Sequence, residues 1–115
     1  MDVRREVVFP SEPGDVWEAL TDPDRLEDWF ATEVVLDPSP GGRGTFRWGN
    51  GEERSARVEE VDPERLLTMR WEDDGGEVAF TLEPVPEGTR LVVVESAPEW
   101  STALELRALA TCAVA

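Results

Sequence analysis

Apolar and polar residues alternate between Trp29 and Trp71, and Gly-Gly, Gly-Asn-Gly and Asp-Pro cut the alternation repeatedly. No other feature restricts the fold as much. A half-buried strand needs this period of two, because successive side chains leave it on opposite faces. Over residues 44–48 the pattern puts Phe46 and Trp48 on one side. Over 66–72 it puts Leu67, Met69 and Trp71 on one face, with Leu66, Thr68 and Arg70 on the other. Asn50-Gly51 joins 44–48 to a return strand over 53–61; both residues accept the positive φ of a tight hairpin. Trp29, Trp48 and Trp71 are costly to leave in water and should converge on one interior. The sheet is therefore built around something large, either a dense core or a pocket.

The flanks extend the pattern. Residues 3–9 place Val3, Arg5, Val7 and Phe9 on one strand face, and Pro10 ends the strand. From 11 to 30 the period lengthens. Ser11, or else Gly14 or Asp15, caps a short helix with Pro13 near its first turn, and Val16, Trp17 and Leu20 share a face. Asp22 caps a second helix, with Pro23 at its first position and Leu26, Trp29 and Phe30 on its apolar side. Two helices this short are unstable alone and must pack on the sheet. Further strands follow over 32–37, 77–83 (Val78, Phe80 and Leu82 together) and 89–95, with turns at Asp73–Gly76 and Glu87-Gly88. Residues 100–115 are strong helix formers, with Trp100, Leu104 and Ala108 in one stripe. The segment from Ala108 to Ala115 has no charge, so it is buried against the sheet or shared with a second subunit. The expected architecture is α+β, a single domain over 1–115. It has a curved antiparallel sheet of about seven strands, two short helices after the first strand, and a C-terminal helix across the concave face.

Composition narrows the chemistry. The 115 residues carry 26 acidic and 11 basic side chains, a formal charge of −15. Such a surface repels phosphate backbones, so a nucleic-acid partner is not expected. All the basic residues are arginine; lysine, histidine and tyrosine are absent. That removes Schiff-base chemistry, the commonest general base and metal ligand, and a phenolic acid. No metal or cofactor is expected. The acidic run Glu72–Glu77 lacks the alternating spacing of a calcium loop and reads as a hairpin turn, and Asp22-Pro23-Asp24 reads as a helix cap. The single cysteine, Cys112, excludes an intrachain disulfide and suits a reducing cytoplasm. No stretch approaches the roughly 18 apolar residues of a membrane span, and the first ten residues do not form a signal peptide.

Several short motifs occur in one order. Pro10, Val16, Trp17, Leu20, Thr21, Asp22, Pro23, Trp29 and Phe30 form an entry pattern. Gly41-Gly42, Gly44, Phe46 and Arg47 form a hairpin motif, and Val58, Glu59, Val61, Pro63, Leu66 and Trp71 a strand pair. Together they resemble the START-like (SRPBCC) superfamily with its helix-grip fold. The branch is similar to the C-terminal domain of the Hsp90 ATPase activator and to polyketide cyclase-like proteins. Ala56 and Arg57 stand where that family often has glycine. The terminal helix is short, with Trp100 alone for the usual tryptophan-rich entry.

The resemblance implies a cavity between the sheet and the C-terminal helix that binds a small hydrophobic or aromatic molecule. Candidate walls are Trp29, Phe30, Phe46, Trp48, Met69, Trp71, Phe80 and Trp100; the plainer alternative is that they simply fill the core. A cyclase or hydrolase acting on a polyketide-like substrate would need buried carboxylates, with Glu33, Glu72 and Glu95 as weak nominees. A binder is favoured over an enzyme. A protein-interaction module of the chaperone-cofactor kind is a further alternative, as is a homodimer through the C-terminal helix. Arg70 and Glu95 fall on either face according to register, and exposed ion pairing is expected for both. An inward arginine would need a carboxylate from the protein or from a ligand.

Overall fold

The computed structural model describes residues 3–29, 31–72 and 75–96. The chain forms β1 (Val3–Phe9), α1 (Pro13–Thr21), α2 (Pro23–Trp29), β2 (Glu33–Leu36), β3 (Arg43–Arg47), β4 (Glu53–Asp62), β5 (Leu66–Trp71), β6 (Glu77–Val85) and β7 (Gly88–Glu95). The seven strands make one sheet in the order β1-β7-β6-β5-β4-β3-β2. Every neighbouring pair is antiparallel. This is the curved sheet with two short N-terminal helices that the alternation predicts. The expected C-terminal helix over 100–115 lies outside the described residues.

The topology follows from turn chemistry. From β2 to β7 each strand turns back on the one before it. At Asn50-Gly51 the glycine takes φ 91°, and the Asn50 Oδ1 accepts the Glu52 N–H at 2.9 Å. β1 and β2 are consecutive in the chain yet occupy opposite edges of the sheet. Helices α1 and α2 must therefore cross its width, and a flat sheet of six strand spacings, about 29 Å, would leave them little slack. Curvature comes in part from β4, whose register with β5 shifts between Val58 and Glu60. There the Glu60 N–H turns to the Thr68 Oγ1 at 3.0 Å. A bulge of this kind bends its strand.

The helix starts differ from one another. Asp22 caps α2 as its sequence predicts, its Oδ1 accepting the Asp24 N–H at 2.9 Å. For α1 the capping position is Glu12, not Ser11, Gly14 or Asp15, and no side chain caps it. Ser11 lies one residue before that position; it is buried, and its carbonyl accepts the Thr89 hydroxyl at 2.7 Å. The chain enters α1 tight against β7. Gly88, at φ 141°, permits that approach, since a methyl there would overlap the Phe9 carbonyl oxygen.

One face of the sheet is apolar. Phe9, Leu91, Val93, Val78, Phe80, Leu82, Leu67, Met69, Trp71, Ala56, Val58, Phe46, Val34 and Leu36 meet Val16, Ala19, Leu20 and Leu26 of the helices in one cluster. α1 packs on β6 and β7, and α2 on β2. Each fully buried leucine or phenylalanine stabilises the fold by roughly 1.5–3 kcal/mol relative to an exposed one. At the β2 edge the outward Val34 N–H is taken by the Glu27 carboxylate of α2 at 3.0 Å.

Candidate ligand-binding site

Three charged side chains stand on the apolar, inner face: Arg5, Arg54 and Glu95. Period two puts them there. Arg5 alternates with Val7 and Phe9, Glu95 with Val93 and Leu91, and Arg54 with Ala56 and Val58. Strand register then gathers them. Glu95 lies opposite both Val3 and Val78, Arg54 opposite Phe46, and Ala56 opposite Trp71. These positions are the β1, β4 and β6 starts and the β5 and β7 ends. They share one end of the face, away from the end where Phe9, Thr89 and Leu91 meet α1.

At β3–β5 the packing centres on Trp71, which is buried. Phe46 meets its ring edge-to-face, with centroids 5.7 Å apart at 70°. The Arg54 guanidinium carbon lies 4.4 Å from the indole centroid, a cation–π stack. Such stacks contribute more when desolvated, and Arg54 is 4% exposed. Small residues make room: Gly44 lies opposite Ala56, which lies opposite Trp71. Met69 and Phe80 are buried on neighbouring strands, and Trp48 is half-buried against the same core. At the other margin the Arg5 Nη2 donates to the Glu95 Oε2 at 3.2 Å. Glu95 is 3% exposed. Burial pushes its carboxyl above the ordinary value, against the opposing pull of Arg5.

The outer face carries ion pairs laid across the strands. Arg43 binds Glu72 through two bonds of 3.0 and 3.2 Å. Arg47 reaches Glu53 at 3.1 Å and Glu33 at 3.7 Å. Arg70 joins Glu59 at 3.1 Å and Glu77 at 2.8 Å. Hydrogen bonding to Glu59 raises the Arg70 pKa, as does the charge of Glu77. An open groove of about 310 Å³ lies along Arg43, Glu53, Arg54, Ser55 and Glu72. A second of about 250 Å³ runs beside Arg57, Arg70 and Trp71.

The expected wall residues divide accordingly. Phe46, Met69, Trp71 and Phe80 lie together on the inner face, with Trp48 at its margin. Phe30, Trp100 and the side chain of Trp29 lie outside the described residues. Of the carboxylates, Glu33 and Glu72 are exposed partners of arginines on the outer face. Only Glu95 faces inward. Exposed pairing describes Arg70 but not Glu95, whose inward parity with Leu91 and Val93 buries it. The inward arginines are Arg5 and Arg54, which sequence reasoning did not single out. The available signal was the shared parity of Arg54 with Ala56 and Val58. No group of three metal-ligating side chains occurs among the described residues. No helix among them is long and apolar enough to cross a membrane.

A family model described as Activator of Hsp90 ATPase homolog 1-like protein matches residues 10–111. The chain belongs to this family. That places it in the START-like (SRPBCC) superfamily, a ligand-binding class, as the motifs from Pro10 to Trp71 imply. The family's description names an activator of another protein's ATPase rather than a reaction of its own. Protein MLL2253 from Mesorhizobium loti has the same fold, with TM-score 0.84 and 24% identity over 97% of this chain and 96% of that one. DynU16, from the dynemicin biosynthetic locus, matches with TM-score 0.82 and 29% identity over 96% of this chain but 46% of its own. The Aha1 dimer from Colwellia psychrerythraea matches with TM-score 0.77 and 22% identity, over 84% of this chain and 75% of that one. No curated protein sequence matches the chain. This Hsp90-activator-like family member thus shares the fold of those structures.

Proposed function

We propose that the inner face of the sheet binds a small hydrophobic or aromatic molecule. The observation that carries the reading is the Phe46–Trp71–Arg54 cluster. An apolar surface with a few placed polar groups is the usual make-up of a small-molecule site. Met69, Phe80 and Trp48 extend the surface, and Trp29, Phe30 and Trp100 complete the proposed wall. Membership of a ligand-binding superfamily supports this reading. The protein is read as a binder rather than a catalyst, working in a reducing cytoplasm on the evidence of its lone cysteine.

The test uses tryptophan fluorescence and thermal unfolding with naphthalene derivatives and medium-chain fatty acids. A binding member should quench emission saturably. At a hundredfold excess over its Kd it should stabilise the fold by about 2.7 kcal/mol. A panel that neither quenches emission nor raises Tm overturns the reading.

The dimeric Colwellia relative favours a second proposal, self-association through residues 100–115. Sedimentation of the full chain should give twice its mass of 12.8 kDa. A single-chain mass at high protein concentration ends this second proposal.

A further inference from the structure

The outer face of β3–β5 holds an arrangement that its own strands do not need. Register sets Arg43, Arg57 and Arg70 directly opposite one another on three neighbouring strands. All three are exposed. Side chains so opposed have Cβ atoms about 5 Å apart, and like charges there destabilise a sheet. Two of the three are neutralised: Arg43 binds Glu72 through two bonds, and Arg70 binds Glu59 and Glu77. Arg57, between them, makes no ion pair among the described residues. A carboxylate at position 57 would face an arginine on each side; the chain carries a third cation instead. Arg57 lines the open groove of about 250 Å³ together with Arg70 and Gly75. Two carboxylates bracket it along the strand. Glu59 lies two residues beyond it, and the Glu72 N–H donates to the carbonyl of Ser55, two residues before it, at 2.9 Å. Along β4 the charges therefore run negative, positive, negative, at steps of about 6.6 Å.

We propose that this outer face is a docking surface for a partner protein, which presents a carboxylate to Arg57 between two basic side chains. An extended segment of the pattern basic-x-acidic-x-basic fits, since alternate side chains of a strand leave on one face at the same step. Arg57 sets the specificity, because its five N–H donors form a fork that matches a carboxylate. Glu59 and Glu72 attract the flanking cations and repel an all-acidic segment. The groove is open, so a free carboxylate gains little from one exposed cation; the acid must arrive on a chain that brings more area with it. A second copy of this chain is a poor occupant, because each copy carries a charge of −15. The surface is separate from the inner face, and the ligand reading above stands or falls without it.

The experiment titrates the full chain with acetyl-Lys-Thr-Glu-Thr-Lys-amide and with the same peptide carrying Gln for Glu, following the arginine Nε–Hε signals by NMR. The Glu peptide should move the Arg57 signal saturably and bind at least about fivefold more tightly than the Gln peptide. The protein's overall charge favours the Gln peptide, which is the more positive of the two, so only a local cation gives this order. Arg57→Gln should erase the preference. Arg47→Gln, on the same face but at an arginine already bound to Glu53, should keep it. Equal affinity for the two peptides, or a preference for Gln, overturns the docking surface. So does acetate that moves the Arg57 signal at the same concentration as the Glu peptide, which would mark a free-anion site. An Arg57 signal that moves on dilution of the protein alone identifies a second copy as the occupant and overturns the partner protein. Arg57→Thr supplies an independent check, since it removes two cross-strand repulsions and should unfold in urea at the wild-type midpoint or above it. A midpoint lower by more than about 0.5 M shows that the fold itself uses Arg57 and ends the inference. The wild-type peptide comparison stands whatever the variants do.

Discussion

The two ends of the inner face solve different problems. Under α1 the face is dry: Phe9, Leu91 and Leu67 are almost fully buried, and the buried Thr89 gives its hydroxyl to the Ser11 carbonyl. At the opposite end Arg54 and Glu95 are buried within the same sheet, and the part-buried Arg5 bonds to Glu95. The first end gains stability from area removed from water. The second spends part of that gain on desolvating charge, which a merely structural core has no need to do. Burial alone therefore does not distinguish a residue that holds the fold from one that equips it for a task. The chemistry of what is buried does.

Three variants test that contrast. The largest effect belongs to the dry end. Leu91→Ala should cost about 3 kcal/mol in urea unfolding, because a fully enclosed leucine leaves a cavity its neighbours cannot fill. A cost below about 1 kcal/mol would mean that this end is not the tightly packed one. At the charged end, Arg5→Ala should cost about 2 kcal/mol, leaving the buried Glu95 without its cation. The double variant Arg5→Met, Glu95→Leu should recover to wild-type stability or exceed it. If the double variant is worse than the single, the pair is a net stabiliser and the contrast fails.

The smallest effect is a slope. The Glu95 carboxyl is raised in the folded protein, chiefly by desolvation. The folded state therefore holds this proton at pH values where the unfolded chain has released it. Stability from the group is present below the unfolded value and is lost as pH rises through the folded one. Wild-type stability should accordingly fall, as pH rises above the ordinary carboxylate range, more steeply than that of Glu95→Gln. Parallel profiles for the two proteins would show that Glu95 does not titrate in this window.

The strands, the Asn50-Gly51 hairpin and the Asp22 cap were legible because each rests on local chemistry: alternation, tolerance of positive φ, a side-chain oxygen near a free N–H. The inward charges were not, for a reason visible in two strands. In β4 both parities carry an arginine, Arg54 with Ala56 and Val58, Arg57 with Ser55 and Glu59. In β7 both parities of 91–94 are apolar. Alternation identifies a strand, but where both faces look alike only pairing with neighbours tells inside from outside. The α1 start was misread for a related reason. Ser11 is a good cap in isolation, but its carbonyl is held by Thr89 of β7 and the helix starts one residue later, with Glu12 at the capping position.

The carboxylate of Glu27 that closes off the Val34 amide has a consequence beyond this fold. A sheet margin left with a bare amide invites stray extended chains to add on, and here a helix, not a further strand, supplies the stopper. Transient detachment of α2 would unmask that docking point before the rest of the molecule melts. Glu27→Ala should therefore be felt first as clumping of concentrated samples on storage, with little change in melting temperature.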